Sequence, residues 1–224
     1  MASLNNKISE QGVYLPFFGY SVIMKINNHE KLRKFPNNIR KIFGMISPLP
    51  VETFHMTLYN IWSYKNKPIS CLNKYILENP IEFNFFINNN FFLPTNYLYE
   101  EHLNAKKLLL KNCNITVRPK KIKIELNNNV LKCNLFFDEE TNRILLYLHH
   151  WLEKIYNKKD CFAPHCTLGY VFKKFDINNL ELKKHLYILE KECNKNLHVF
   201  DFSFPSVYMF SSMDDFREYL QYIN

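Results

Sequence analysis

The chain has 224 residues, of which 47% are hydrophobic and 16% aromatic. This supply of apolar side chains predicts one large folded domain or two small lobes that share a core, and it argues against a disordered chain. The formal net charge of +8 favours a polyanionic partner such as a nucleic acid, a nucleotide or an anionic membrane, although lysines that merely cover the surface of an Asn-, Lys- and Ile-rich chain would give the same charge. With only 4 glycines and neither G-x-x-x-x-G-K nor G-x-G-x-x-G, the common glycine-rich sites for nucleoside triphosphates and dinucleotides are excluded.

The first half of the chain alternates strand-like and helix-like stretches. The predicted elements are a strand at 19–26, a helix at 27–46 interrupted at Pro36, a strand at 54–62, a short helix at 70–79 and a strand at 81–87. The stretch 91–113 is ambiguous, since it contains EEHLNAKKLLLKN, which has a helical composition, between strand-like neighbours.

The second half contains the clearest helix, DEETNRILLYLHHWLEKIY, which opens with acidic residues and repeats apolar residues every three to four positions. The other predicted elements are strands at 114–126 and 130–137 joined by a turn at 127–129, a strand at 163–172, a helix at 177–193, strands at 198–204 and 206–211, and a final helix at 213–223. Because strands and helices mix without a β-α-β rhythm, we predict an α+β fold.

Cysteine usage and the start of the chain predict the compartment. The 6 cysteines are scattered and form no C-x-x-C pair, which is typical of reduced, buried thiols in an intracellular protein. The first residues lack a basic start followed by an apolar core, and no apolar run approaches the length of a membrane span. We therefore expect a soluble, unprocessed cytoplasmic protein that does not bind membranes.

One four-residue pattern occurs twice. FHMTLYN at 54–60 and PHCTLGY at 164–170 both contain His-x-Thr-Leu, and each lies in a predicted strand. Alternate side chains of a strand point to opposite faces, so each copy presents an imidazole and a hydroxyl side by side. If the two strands were neighbours, two imidazoles and two hydroxyls would meet at one point.

Such a group is sufficient for chemistry at a phosphodiester without a metal or another cofactor. A neutral imidazole, from His55 or His165, can take a proton from the attacking hydroxyl or water, while the other, protonated, gives one to the leaving oxygen. The hydroxyls of Thr57 and Thr167 can donate hydrogen bonds to the phosphate oxygens, where charge develops. The residues do not say which histidine is the acid.

Here the sequence resembles the two-histidine (2H) phosphoesterase superfamily, which includes RNA cyclic phosphodiesterases and 2′-5′ phosphodiesterases. Besides the two motifs, FFGYSVIMKI, NRILLYLHHWLEKIY and PSVYMFSSMDDF resemble one branch of it, so that the resemblance spans roughly 17–216. It implies that 1–224 is a single domain of two lobes, with two antiparallel-rich sheets around a central cleft, helices outside, and one motif from each lobe.

The resemblance also implies site roles and a substrate class. His55 and His165 would form the acid and base pair, and Thr57 and Thr167 would hold the phosphate. The substrate would be a nucleotide or RNA with a 2′,3′-cyclic phosphate or a 2′-5′ linkage. Should the AT-biased composition reflect a large virus or an intracellular parasite, the targets would be host signals such as 2′-5′ oligoadenylate or cyclic GMP-AMP (cGAMP), met in the host cytoplasm.

Three aromatic residues near the motifs are candidates for stacking on a base or ribose: Tyr59, Trp62 and Tyr170. Core packing explains Trp62 equally well. Tyr170 occupies a place where many relatives carry arginine or lysine, which weakens any expectation of a clamp for a terminal phosphate. We expect a monomer.

Other readings stay open. CFAPHC suggests zinc, but His165 and Cys166 point apart on a strand and no second ligand pair is evident. Of His149 and His150, one is expected to pack and the other to face solvent. The lysines of RPKKIKI (118–124) fit a solvated strand face, or could guide an anionic substrate. The alternative to an enzyme is a binding module that holds RNA or a nucleotide in the same cleft without turnover.

Overall fold

The computed structural model describes residues 7–17, 19–63, 99–111, 117–127, 129–173, 176 and 179–218. Within these ranges the strands are β1 Gly19–Lys25, β2 Ile46–Pro48, β3 His55–Ser63, β4 Lys121–Asn127, β5 Val130–Phe136, β6 His165–Val171, β7 Ser206–Ser212 and β8 Asp215–Glu218. The helices are α1 Phe35–Ile42, α2 Tyr99–Leu110, α3 Glu139–Ile155 and α4 Leu180–Lys195. The α+β prediction is confirmed.

The eight described strands form one sheet in the order β4-β5-β6-β3-β1-β7-β8, with β2 beside β6, and their pairings are antiparallel. The two motif strands, β3 and β6, meet in its centre through the pair Met56 and Cys166. The described strands therefore make a single sheet with two halves, where the resemblance implies two sheets.

The helices of the described part of the chain pack on the sheet. The α3 helix begins at the predicted place because the Asp138 carboxylate accepts a hydrogen bond from the Thr141 amide at 2.8 Å. It packs on β3 and on α2, and α4 packs on β4. The α3 leucines Leu145, Leu148 and Leu152 are buried, which contributes about 1.5–3 kcal/mol each.

The outer strand β4 is protected by the helix that packs on it. The amides of Ile122 and Ile124 donate hydrogen bonds at 2.9 Å to the side chains of Asn194 and Glu190 on α4. An unpaired strand edge would otherwise be open to pairing with another chain.

Two predicted elements near the end of the chain are wrong. The stretch 198–204 is a short 3-10 turn followed by isolated bridges at Phe202, and between them Asp201 binds Arg118 with both carboxylate oxygens. The stretch predicted as a helix at 213–223 contains β8, and its described part forms a hairpin with β7 in which the Ser211 hydroxyl donates to Asp215 at 2.6 Å.

The helix predicted at 27–46 is shorter than expected. Pro36 does not interrupt it but lies in the first turn of α1, where a proline needs no amide partner. The ambiguous stretch 91–113 contains α2. The helix predicted at 70–79 and the strand at 81–87 lie outside the described residues. No described helix combines the length and the apolar character needed to span a bilayer.

Candidate active site

The pairing of Met56 with Cys166 places both motifs at one cavity. Met56 and Cys166 are fully buried on one face of the sheet. The motif histidines and threonines, His55, Thr57, His165 and Thr167, are half-buried on the other face and line a single cavity of about 580 Å³. Because the strands are antiparallel, His55 lies on the side of Thr167, and Thr57 on the side of His165. The structure thus brings all four predicted residues together.

Both imidazoles are oriented by the same contact. The Nδ1 atom of His55 lies 2.6 Å from the Thr53 carbonyl oxygen, and that of His165 lies 2.7 Å from the Ala163 carbonyl oxygen. A carbonyl oxygen only accepts, so each Nδ1 carries the proton and donates it. In the neutral rings Nε2 therefore keeps its lone pair, the state that a general base needs.

The electrostatic surroundings favour neutral imidazoles when the cavity holds no anion. Burial, helped by the charges of Lys25, His165 and Lys7, lowers the pKa of His55 to about 4. Burial also lowers the pKa of His165, with help from Lys132 and Lys7. Both effects disfavour the charged ring.

A matching irregularity occurs in both motif strands. Val22 pairs with Tyr59 and Ile23 with Thr57, which leaves Leu58 as an extra residue in β3. In β6 the extra residue is Leu168, because Leu131 pairs with Gly169 and Lys132 with Thr167. A bulge of this kind reverses the alternation of side chains beyond it. Each His-x-Thr-Leu therefore sends the residue three positions after threonine to the cavity.

This bulge corrects the prediction for Tyr59. Strict alternation would place Tyr59 beside His55 and Thr57, but its ring is fully buried, and its hydroxyl donates to the Lys158 carbonyl at 2.8 Å. Asn60 lines the cavity in its place. Trp62 is 1% exposed and belongs to the core, so the prediction that these two aromatic residues bind substrate is wrong.

Tyr170 does line the cavity, as predicted, but in a different role. Its ring is buried and packs edge-on against Tyr14 with 6.1 Å between centroids, which leaves little of its face for a base. Burial raises the pKa of Tyr170, and the neighbouring Thr167 side chain partly offsets this rise. Tyr170 therefore places its hydroxyl beside Thr167 at the cavity.

Four further residues of the site come from distant parts of the chain. Lys7, in the N-terminal segment, lines the cavity and is its cationic side chain among the described residues. Phe17, Phe210 and Phe216 form an aromatic wall, in which Phe17 stacks on Phe210 with 6.0 Å between ring centroids and the Phe216 ring is tilted against Phe210 at 5.2 Å. These residues belong to no sequence motif. They were not predicted because they are far apart in the sequence and meet only in the folded chain.

The aromatic wall reaches one catalytic candidate directly. The Phe216 ring lies 4.6 Å from the His55 ring, centroid to centroid, and only part of it is buried. It shields His55 from water and offers an apolar face to a planar group. The other end of the cavity is polar, where Asp160 accepts a hydrogen bond from the Asn60 amide at 2.8 Å.

Other sequence candidates lie away from the cavity. His149 is buried and its Nδ1 lies 2.8 Å from the Leu58 carbonyl, whereas His150 is exposed, as predicted. On β4 the charged face is solvated, and Lys123 pairs with Glu125 at 2.9 Å. Within the described ranges, no three histidine, cysteine or carboxylate side chains are grouped as metal ligands.

Comparison with known proteins adds a fold and a relative. No family model matches the chain. The chain is similar to the uncharacterized protein 127L of Invertebrate iridescent virus 6, at 28% identity over 233 residues that cover 96% of this chain and 95% of that protein. It also resembles the crystal structure of ATU0111, a conserved protein of unknown function from Agrobacterium tumefaciens strain C58, with a TM-score of 0.59, 14% identity, and coverage of 96% and 89%. The latter similarity shows a shared fold.

Proposed function

We propose that this chain is a metal-independent phosphodiesterase of the two-histidine type, which cleaves 2′-linked or cyclic phosphodiesters of nucleotides or RNA. The observation that carries the proposal is the pair of equivalent imidazoles, His55 and His165, each held through Nδ1 by a carbonyl two residues earlier and each facing one cavity. A structural histidine needs no such duplicate.

The phosphate group would lie between the two rings. The Nε2 atom of one histidine takes the proton of the nucleophile, and Nε2–H of the other gives a proton to the leaving oxygen. The Nδ1–H donors stay on the carbonyls of Thr53 and Ala163 throughout, which fixes the rings and stabilises each charged form. Thr57 and Thr167 donate to the non-bridging oxygens as negative charge grows there.

The electrostatic surroundings support one assignment of the acid and base roles in the first step. His55, whose pKa is about 4, is neutral near pH 7 and is the base. His165 is then the acid. The bound phosphodiester anion favours the protonated form of His165, because a negative charge within about 4–6 Å raises the pKa of an imidazole.

The bonds that form and break depend on the substrate. With a 2′,3′-cyclic phosphate, water attacks phosphorus, one P–O bond breaks, and a phosphomonoester and a ribose hydroxyl result. With a 2′-5′ linkage, the adjacent 3′-hydroxyl attacks first, the 5′-oxygen leaves with the proton from the acid, and a 2′,3′-cyclic phosphate forms. The same two histidines serve both reactions.

The test is a substrate panel in excess EDTA. Purified protein would be offered 2′,3′-cyclic nucleotides, 2′-5′ oligoadenylate, 2′,3′-cyclic GMP-AMP and a 3′-5′ dinucleotide control. We expect cleavage of a 2′-linked or cyclic member, and a loss of roughly a hundred-fold to ten-thousand-fold in His55→Ala and in His165→Ala. The matched control is His150→Ala, an exposed histidine of α3 that does not line the cavity.

Two results would contradict the proposal. One is cleavage that both alanine variants retain, since another group would then do the chemistry. The other is binding of a panel member without turnover and with both variants unaffected, which would make the chain a nucleotide-binding module.

A further inference from the structure

The N-terminal segment is tied to the sheet beside the second motif. Residues 7–15 form a hairpin, here called the N-terminal hairpin, in which the Leu15 amide donates to the Lys7 carbonyl at 3.0 Å. Its turn contains Gly12, whose φ of 84° favours glycine. The Tyr14 hydroxyl donates to the Ser47 carbonyl, and the Ser47 hydroxyl to the Gly12 carbonyl, both at 2.9 Å.

This attachment fixes the position of one side chain, Lys7. Ser47, which holds the hairpin, is the cross-strand partner of Tyr170 in β6. The Lys7 Nζ atom lies 4.5 Å from the centroid of the Phe17 ring and 5.6 Å from that of Tyr170. Two aromatic faces attract the ammonium group and keep it at the cavity.

Lys7 differs from the other lysines near the motif histidines. Lys25 is the cross-strand partner of His55, with its Nζ 4.9 Å from the Tyr208 ring centroid, and Lys132 is the partner of Thr167. Neither of these two lines the cavity, whereas Lys7 does. Lys7 also acts electrostatically on both His55 and His165, which places its charge near both rings.

We propose that Lys7, presented by the N-terminal hairpin, is the cationic ligand of the phosphate group at this cavity. This rests on the proposed function, since it gives the phosphodiester a charged partner beside the two imidazoles. Burial lowers the pKa of Lys7 to about 8, so the side chain is still mostly protonated at pH 7, and a bound anion would keep it so. Thr57 and Thr167 would then supply neutral donors, and Lys7 the balancing charge.

The first readout is the binding of inorganic phosphate to the full chain. The NMR signals of the histidine rings report this binding. We expect Lys7→Met to bind phosphate on the order of ten- to a hundred-fold more weakly, the loss of one charge-assisted hydrogen bond, and Lys7→Arg to retain most of the affinity. Lys25→Met and Lys132→Met are the matched controls and should bind phosphate as the wild type does.

The second readout is the titration of the two rings in the phosphate-free protein. Removing a positive charge raises a neighbouring imidazole pKa. Lys7→Met should therefore raise the pKa of both His55 and His165. Lys25→Met should raise the pKa of His55 alone, and Lys132→Met should raise the pKa of His165 alone. A melting curve for each variant shows that it is folded.

The outcomes separate this inference from the proposed function. If phosphate binding depends on Lys7 but no panel member is cleaved, the result supports the anion site and contradicts the proposed phosphodiesterase activity. Suppose instead that cleavage depends on both histidines but Lys7→Met binds phosphate with the affinity of the wild type. The inference about Lys7 is then overturned, while the proposed enzyme activity stands. The inference is also overturned if inorganic phosphate leaves both histidine signals of the wild type unchanged.

Discussion

Met56 and Cys166 form the pair that joins the two halves of the described sheet, and neither side chain is exposed. The residues on either side of each carry the chemistry, so one backbone contact fixes the spacing of two motifs that are 110 positions apart in the chain. The catalytic candidates thus depend on buried neighbours that never touch a ligand.

The first prediction concerns the pH dependence of kcat/KM. The base must be neutral, so the rising limb follows the pKa of His55, which is about 4; the acid must be protonated, so the falling limb follows the lowered pKa of His165. We therefore expect a bell-shaped profile with its maximum below pH 6.5, and its two apparent pKa values belong to the coupled pair. The measurement is initial rate against pH on the cleaved panel member.

Phe216→Ala tests the cause of the low pKa. Loss of the ring that lies 4.6 Å from His55 admits water and raises the pKa of His55, so the rising limb should move to higher pH. Phe136→Ala, at an exposed phenylalanine of β5, is the control. A profile of Phe216→Ala that coincides with that of the control would show that the ring does not shield His55.

The second prediction concerns the threonines. Thr57→Val or Thr167→Val removes a hydroxyl donor but keeps the β-branched shape, so kcat should fall on the order of a hundred-fold while the melting temperature changes little. Tyr170→Phe removes only a hydroxyl beside Thr167, leaves both threonine hydroxyls in place and should cost less. Single-turnover rates of the variants measure these losses. A larger loss of rate in Tyr170→Phe than in Thr167→Val would contradict the prediction.

The sequence predicts the local part of the site and misses the part that depends on the fold. The repeated His-x-Thr is visible because its chemistry lies within three residues. Alternation failed at Tyr59 because a bulge at Leu58, seen in the pairing with β1, reverses it, and strict alternation takes no account of bulges. Lys7 and Phe216 were missed because only the sheet order brings the two ends of the chain together.

The same limit explains the errors in the fold. The helix predicted at 213–223 has helical composition, but its first residues complete a hairpin with β7, so tertiary pairing overrides local propensity. The strand predicted at 198–204 fails in a similar way, since its first residues form a 3-10 turn and Phe202 pairs through isolated bridges with the distant residues Ile26 and Val117.

The third prediction concerns stability in acid. His102 is fully buried, its Nδ1 lies 2.8 Å from the Tyr156 hydroxyl, and burial lowers its pKa to about 3. Between pH 6.5 and 3 the unfolded chain therefore binds a proton that the folded chain excludes, so stability falls as pH falls through this window. His102→Gln should reduce that slope by up to about 1.4 kcal/mol per pH unit, the value for one proton.

Urea denaturation at a series of pH values measures the slope. Tyr156→Phe is the matched control, because it removes the hydroxyl but keeps the buried imidazole, and it should lower stability without changing the slope. An unchanged slope in His102→Gln would show that His102 is not excluded from protonation in the folded state.

The last prediction links the strand beside the second motif to phosphate binding. A Cβ added at Gly169 would lie 2.6 Å from the Ser47 carbonyl oxygen, so Gly169→Ala must push β2 away from β6 and cost about 1–3 kcal/mol. Since Ser47 also holds the N-terminal hairpin, Lys7 should move and phosphate affinity fall. Gly44→Ala, which meets no atom within 4 Å, is the control and should change neither quantity. Urea denaturation and phosphate titration measure both, and a destabilised Gly169→Ala that binds phosphate normally would show that the hairpin does not depend on β2.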